Sequence, residues 1–460
     1  MTVTGMLLAR VEVDGALCDV RIRGTHVAEV GVRLRPQAGE EVHDARGGAL
    51  LPGLHDHHIH LLALAARAGS VDCGPPSVTS LDSLAAALRS AGRDLPPGGW
   101  LRGTGYAESV AGLPDRHLLD RLVPERPVRI QHRGGALWIL NSRALHAVAP
   151  ALDDSSDVER DAAGAPTGRL WRYDARLRPA LPTAPPDLGP VGARLASYGI
   201  TGVTDATPDL DTGALKLLYD ASASGAIPQS LHLMGADCGD APHKIHLRDH
   251  DLPALEALTV RIAAAHAAGR PVAVHCVTRE SLILTLVALQ EAGPHPGDRV
   301  EHAAVVPPEV CPMLAECGVR VVTQPTLLTT RGDDYVRDVD PEDRAHLYPY
   351  ASLLAHGIPV AASSDAPYGD PDPWASIAAA STRRTPSGRV VSPAERVPAR
   401  VALEGFLSPP DEPGGRVRRV TPGVRADLCL LYVPLTEALA RPTAGHVALV
   451  LRNGRVVHPR

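Results

Sequence analysis

Only two of the 46 basic residues are lysines, Lys216 and Lys244, and aromatic residues make up 3% of the chain, with Phe406 the single phenylalanine. Long runs of one charge are also missing. The formal net charge of -6, from 46 basic and 52 acidic residues, provides no basic face for a polyanion, so no nucleic-acid partner is expected. No window approaches the roughly 18 apolar residues of a membrane helix, and the first ten residues lack a basic segment followed by an apolar one. The expectation is a cytoplasmic protein with no membrane partner. Cys-x-x-Cys pairs are absent, and the seven cysteines (Cys18, Cys73, Cys238, Cys276, Cys311, Cys317, Cys429) are scattered and odd in number. That excludes a disulfide framework and a structural zinc knuckle, and leaves them as buried small hydrophobes. There is no Walker A loop, G-x-S-x-G elbow or His-Glu-x-x-His helix, and Gly103-Thr104-Gly105 lacks the third glycine of a dinucleotide fingerprint.

The 460 residues, 44% apolar and 21% charged, suit a folded protein of two domains. Near the start, 7–13 and 18–22 read as short strands broken by Asp14-Gly15 and Arg23-Gly24 turns. Segments 427–433 and 446–457 repeat that style around Asn453-Gly454, so 1–50 and 405–460 are expected to pair into one small β domain. Between them, strands alternate with helices that end in glycine. The strands fall at 54–60, 199–206, 231–234, 243–247, 271–276, 299–303, 319–323 and 359–363, and eight such strands predict a (β/α)8 barrel over 51–404. Residues 66–190 do not fit the unit and read as an insertion, rich in Pro and Gly, between the first and second strands.

Leu51-Pro52-Gly53-Leu54-His55-Asp56-His57-His58-Ile59-His60 carries the strongest chemical signal. A strand alternates faces, so Asp56, His58 and His60 share one side, as two imidazoles must to grip one divalent ion. His275 and His302 close apolar strands, where barrel enzymes keep their sites, and each is a further candidate ligand. Asp365, in Ser363-Ser364-Asp365-Ala366-Pro367, ends the eighth strand. It could bind metal through one oxygen and take a proton through the other, or serve only as an N-cap for the next helix. Lys244 opens the fourth strand. Lysine reacts with CO₂ to give a carbamate that bridges two cations, which arginine cannot do, and a lysine there stands out in a chain that otherwise uses arginine. The donor set, imidazole with carboxylate, points to zinc, one or two ions per chain. Cys276, beside His275, faces the other way along its strand and is expected to pack rather than react. Trp100, Trp138 and Trp171, with Tyr106 and Tyr173, fall in the insertion; they are either the core of a small subdomain or, for Trp138, Trp100 and Tyr106, part of a substrate pocket.

Together, Pro52-Gly53-x-x-Asp56-x-His58-x-His60, the strand-end histidines, Gln324-Pro325, Ser363-Ser364-Asp365-Ala366-Pro367 and Pro422-Gly423-Val424-Arg425-Ala426-Asp427-Leu428 resemble the amidohydrolase superfamily of metal-dependent hydrolases. Leu113-Pro114, Asn141-Ser142 and Ala163-Gly164-Ala165-Pro166-Thr167-Gly168 are similar to the branch that includes N-substituted formamide deformylases. The resemblance covers almost the whole chain. It implies a TIM barrel with a β-sandwich built from both termini, metal held by His58, His60, His275, His302 and Asp365, and a carbamylated Lys244 in two-metal members. Gly134-Gly135-Ala136, Thr278-Arg279, Arg172 and the short segment after Lys244 depart from the branch, so substrate contacts are rewritten around an intact metal set.

The function expected is hydrolysis of an amide-type C–N bond in a small-molecule substrate by attack of metal-bound hydroxide, with Asp365 as general base. Deamination, ester or lactone hydrolysis on the same centre, and a non-catalytic amidohydrolase-like scaffold are the alternatives. A scaffold would lack ligands, and none is missing. Deamination would want a glutamate close behind His275, where Glu280 is offset. Homo-oligomerisation is left open.

Overall fold

The computed structural model describes residues 5–182, 185–236 and 241–459. Eight parallel strands, most of them followed by a helix, run in chain order: β1 Leu54–Ile59, β2 Ile200–Asp205, β3 Ser230–Leu233, β4 His243–Ile245, β5 Val272–Cys276, β6 Arg299–His302, β7 Arg320–Thr323 and β8 Val360–Ala362. They form a three-stranded sheet in the order β3-β2-β1 and a five-stranded one in the order β4-β5-β6-β7-β8. At one junction Lys244 N donates to Met234 O at 3.4 Å. At the other, Ile59 and Ala366 form a parallel bridge, with Asp365 N on His58 O and His60 N on Ala366 O, both at 2.8 Å. All six residues of β1 and of β2 are buried, as parallel strands covered on both faces must be. Several preceding helices stop at glycine: Gly269, Gly293 and Gly318 have φ of +74°, +81° and +64°, a left-handed turn that costs a glycine nothing.

The termini supply two four-stranded sheets. One runs His26–Gly31, Ala16–Arg23, Gly5–Val13, Glu40–Asp44, and the other Arg455–His458, Val447–Arg452, Leu428–Leu431, Leu50–Pro52. Leu8, Val20 and Ile22 from the first share one apolar core with Leu428, Leu430 and Leu451 from the second. The hairpin turns fall where they are expected, at Asp14-Gly15 (φ 50° and 82°) and Asn453-Gly454 (φ 52° and 71°), with the paired positive φ that matches strand twist.

The chain divides into two compact units, Met1–Leu61 with Leu188–Arg460, and Leu62–Asp187. The second is more regular than its sequence suggests. It holds a six-stranded sheet in the order Val158–Arg160, Pro166–Trp171, Leu137–Leu140, Val128–His132, Leu101–Tyr106, Val71–Asp72. Strands this short, with Gly103 and Gly105 inside one of them, are too brief for a two-residue period to emerge. Asn141 knits the sheet to a helix: its Oδ1 accepts from Val128 N and Ala144 N, and its Nδ2 donates to Val123 O and Arg126 O. Among the described residues no helix is long and apolar enough to cross a membrane, and five of the six described cysteines are buried. Cys238 lies outside the described residues.

Leu8 is fully buried in the core between the terminal sheets, whereas Leu17, on the same hairpin, is 60% exposed. Leu8→Ala is expected to cost about 2–5 kcal/mol and Leu17→Ala within about 0.5 kcal/mol, read as the shift in urea midpoint; equal shifts would contradict this core.

Candidate metal centre

His58 stands near the carboxyl end of β1, with His60 just beyond it. The Nε2 atoms of His58 and His60 lie 3.5 and 3.3 Å from the same atom, Asp365 Oδ1. The three residues form a group that could hold a metal ion. Asp365 is seated by its backbone, whose N–H bonds His58 O, and it adopts φ 52°, a left-handed conformation costly for a non-glycine residue. It is not the cap of the following helix: Asp372 caps Pro373–Thr382, accepting from Trp374 N at 2.8 Å.

Three of the imidazoles, those of His58, His302 and His60, have one ring nitrogen occupied. His58 Nδ1 donates to Glu301, leaving Nε2 as the lone-pair nitrogen aimed at Asp365. His302 Nδ1 bonds Gln324 Oε1 at 2.8 Å, and Gln324 is oriented by its own Nε2, which donates to Val322 O and Ser363 Oγ. His60 Nδ1 pairs with Thr207 Oγ1 at 3.0 Å. Holding one ring nitrogen so that the other faces inward is how proteins orient metal-binding histidines.

His302 and His275 complete a chain of rings. His302 lies 4.8 Å from His58 and 4.5 Å from His275 between centroids, and its Nδ1 is 4.0 Å from Asp365 Oδ2. Lys244 is buried, and its Nζ has no hydrogen-bond partner. Burial drives the imidazoles toward the neutral form: His58 is pushed down to about 3 by burial and then by the Lys244 charge, and His275 and His302 are lowered chiefly by burial. Neutral imidazole is the form that ligates. Burial lowers Lys244 as well, against the pull of Glu301. Asp365 moves the opposite way from a simple buried acid. Burial would raise it, but the adjoining His60 imidazole and the electrostatic influence of His58 and His302 bring it down to about 2. Asp56 is pushed up to about 6 by burial, although its Oδ1 accepts from His58 N and Ser364 N.

Two functional residues were missed by the sequence reading. Glu301 is fully buried between Arg299 Nε and His58 Nδ1, and Arg299 Nη2 also donates to His57 O at 2.8 Å. The fields of Arg299, Lys244 and His58 outweigh burial and hold the Glu301 carboxyl well below its usual range. Two charged residues two apart in a strand otherwise buried, Arg299 and Glu301, were the available signal. Both Glu301 and its neighbour His302 reach the site because φ is 71° at His302 and 46° at Ala303, which breaks the alternation at the strand end. Cys276 does face away, its Sγ 3.3 Å from Thr285 Oγ1, with burial raising the thiol to about 12.

The aromatic candidates of the insertion are packed within their own unit. Tyr106 is fully buried and its hydroxyl donates to Gly112 O at 2.8 Å. Trp138 is buried and donates Nε1 to Asp174 Oδ1 at 2.7 Å, and Trp100 packs against the same apolar cluster. Tyr106 and Trp138 are part of that unit's core, and Trp100 is half-buried against it.

The donor set passes a simple fit test. At the roughly 2.0–2.2 Å usual for zinc ligands, tetrahedral donors stand about 3.3–3.6 Å apart. The separations of the two histidine nitrogens from Asp365 Oδ1 fall in that range, and Asp365 Oδ1 is buried with no hydrogen-bond partner.

Parallel β/α units with a His–His–Asp group at their carboxyl ends define an α/β chain built around a prospective metal site. Residues 41–458 match the Amidohydrolase family, and the chain belongs to it; it is an amidohydrolase-type enzyme. It is similar to N-substituted formamide deformylase of Arthrobacter pascens, at 26% identity over 90% of this chain and 89% of that protein. Its fold is that of two solved metal-dependent hydrolases. The Pyrococcus horikoshii protein has TM-score 0.73 and 18% identity, covering 98% of this chain and 99% of that one. The Pyrococcus furiosus protein has TM-score 0.70 and 21% identity, covering 93% and 98%.

Glu301→Gln removes the charge that orients His58 and balances Arg299. Divalent-metal affinity, measured by chelator competition, is expected to fall about 10–100-fold; unchanged affinity would remove Glu301 from the centre.

Proposed function

We propose that this enzyme hydrolyses an amide-type C–N bond of a small-molecule substrate, at a centre where His58, His60, His275, His302, Lys244 and Asp365 hold one or two divalent ions, zinc by donor type. The observation that carries the reading is the convergence of two oriented imidazole nitrogens on Asp365 Oδ1, an oxygen with no hydrogen-bond partner. A divalent cation, when bound, lowers the pKa of a coordinated water toward about 7 and polarises a carbonyl. Asp365 supplies the proton traffic. Ionised at neutral pH, it takes a proton from the attacking water and passes it to the leaving nitrogen as the C–N bond breaks. His58 and His302 stay neutral and fixed by Glu301 and Gln324, so that neither competes for that proton. Burial without hydrogen-bond partners shifts Lys244 toward the free amine, the form that combines with CO₂, and a carbamate there would satisfy its buried end. The two parallel sheets, joined at Met234–Lys244 and Ile59–Ala366, are read as one (β/α)8 barrel, and the terminal sheets as a β-sandwich beside it. The likeness to a formamide deformylase supports a small acyl group on nitrogen as the bond cleaved.

Protein purified without chelators is expected to carry one or two divalent ions per chain by elemental analysis. The count should fall in His58→Ala/His60→Ala protein and drop in Lys244→Arg, which cannot be carbamylated; full metal content in the double variant would refute the ligand assignment. Asp365→Asn keeps the size of the side chain but cannot accept a proton, so kcat should fall by about 10²–10⁴ in protein that remains folded. Near-normal kcat would leave the reaction without this base.

A further inference from the structure

The sheet of the Leu62–Asp187 unit carries two arginines side by side. Arg102, on Leu101–Tyr106, and Arg129, on Val128–His132, are Cα partners across adjacent parallel strands. The pleat sends their strand neighbours Leu101, Val128 and Ile130 to the other face, into one apolar core. Both arginines rest on Trp138, which packs in a separate apolar cluster with Leu140 and Leu170. The guanidinium carbon of Arg129 stands 5.0 Å from the centre of the indole and that of Arg102 5.6 Å. The indole Nε1 is already engaged by Asp174 Oδ1 at 2.7 Å.

Both arginines are half-buried, and among the described residues neither side chain has a hydrogen bond or an ion pair. Arg102 Nε is buried without a partner, as is Thr104 Oγ1 two residues along the same strand. By contrast Arg160 and Arg169, elsewhere in this sheet, are each paired with a carboxylate. Like charges set opposite one another in a sheet repel, and a buried donor left unanswered is costly. Burial lowers Arg102, and burial together with the Arg102 charge brings Arg129 down to about 10, so both stay charged at neutral pH. Asp174, fixed by the indole, offsets one of the two positive charges. The remaining one calls for a single negative charge, and a guanidinium stacked on an aromatic ring keeps its planar edge free for the oxygens of a carboxylate.

We propose that Arg102 and Arg129, stacked on Trp138, form a binding site for a carboxylate-bearing small molecule within the Leu62–Asp187 unit. The carboxylate bridges the two guanidinium edges, one oxygen to each, and turns a repulsive cross-strand pair into a neutralised one. The site uses none of the candidate metal ligands and holds whether or not the metal centre hydrolyses amides.

Calorimetric titration of the full chain with benzoate, with benzyl alcohol as its uncharged counterpart, tests this. The titrations use wild-type protein and also His58→Ala/His60→Ala protein, in which carboxylate ligation at the metal centre cannot contribute. In the latter, benzoate should still saturate at one per chain and benzyl alcohol should not bind. Arg102→Met or Arg129→Met should weaken benzoate about 10–100-fold, the range of a charge-assisted contact, and Arg129→Lys should keep part of the affinity. Methionine retains apolar contact with the indole and relieves the repulsion, so the melting temperature of the ligand-free Met variants should hold or rise; arginines that merely brace the sheet would lower it. Absence of saturable benzoate binding, affinity untouched by both Met variants, or its loss together with the His58–His60 pair overturns the site. Inorganic phosphate binding more tightly than benzoate overturns its assignment to a carboxylate.

Discussion

A carboxylate sealed in the interior, Glu301, is shared between the Arg299 guanidinium and the His58 imidazole, and the centre depends on that arrangement. A lone charge buried to this degree would neutralise itself, whereas one with a fixed counter-charge and a hydrogen-bond donor stays ionised. Arg299 in turn reaches the carbonyl of His57, tying the strand that bears the charge pair to the strand that bears the histidines. The tautomer of His58, the direction of its free nitrogen and the register of two strands are thus set by one cluster. Gln324 performs the neutral counterpart for His302, with an amide whose nitrogen is already engaged.

The centre is also a place where backbone preference is overruled. His302, Ala303 and Asp365 all have positive φ, each at a cost on the order of 1–3 kcal/mol. Only a surrounding structure that fixes these segments from several sides can hold them. Asp365 is held through its N–H on His58 O, and Ala303 through its N–H on Glu301 O. The outcome is that adjacent residues of one strand, Glu301 and His302, work on the same side, something a regular pleat forbids.

Much of this was legible beforehand. The eight strands, the hairpin turns and the gathering of His58, His60 and Asp365 follow from periodicity, from Asp-Gly and Asn-Gly pairs, and from polar residues ending apolar runs. Glu301 was not legible, because its place beside His302 depends on a left-handed residue that no period announces. The sheet between 62 and 187 was missed because strands of two to six residues interrupted by glycine carry almost no periodic signal, while Asn141, which braces it, reads simply as a helix cap.

The pairing of β1 with β2 brings Ile59 opposite Asp205, although a complete compact unit, Leu62–Asp187, intervenes in the chain. Loop-closure entropy grows only with the logarithm of length. Relative to an ordinary crossover of about 30 residues, an excursion of this size amounts to roughly two doublings and adds about 1.2 kcal/mol. The register between those two strands is therefore almost indifferent to how long the intervening segment is. Evolution could enlarge, trim or exchange that segment at small cost while β1, with His58 at its end, keeps the same neighbour.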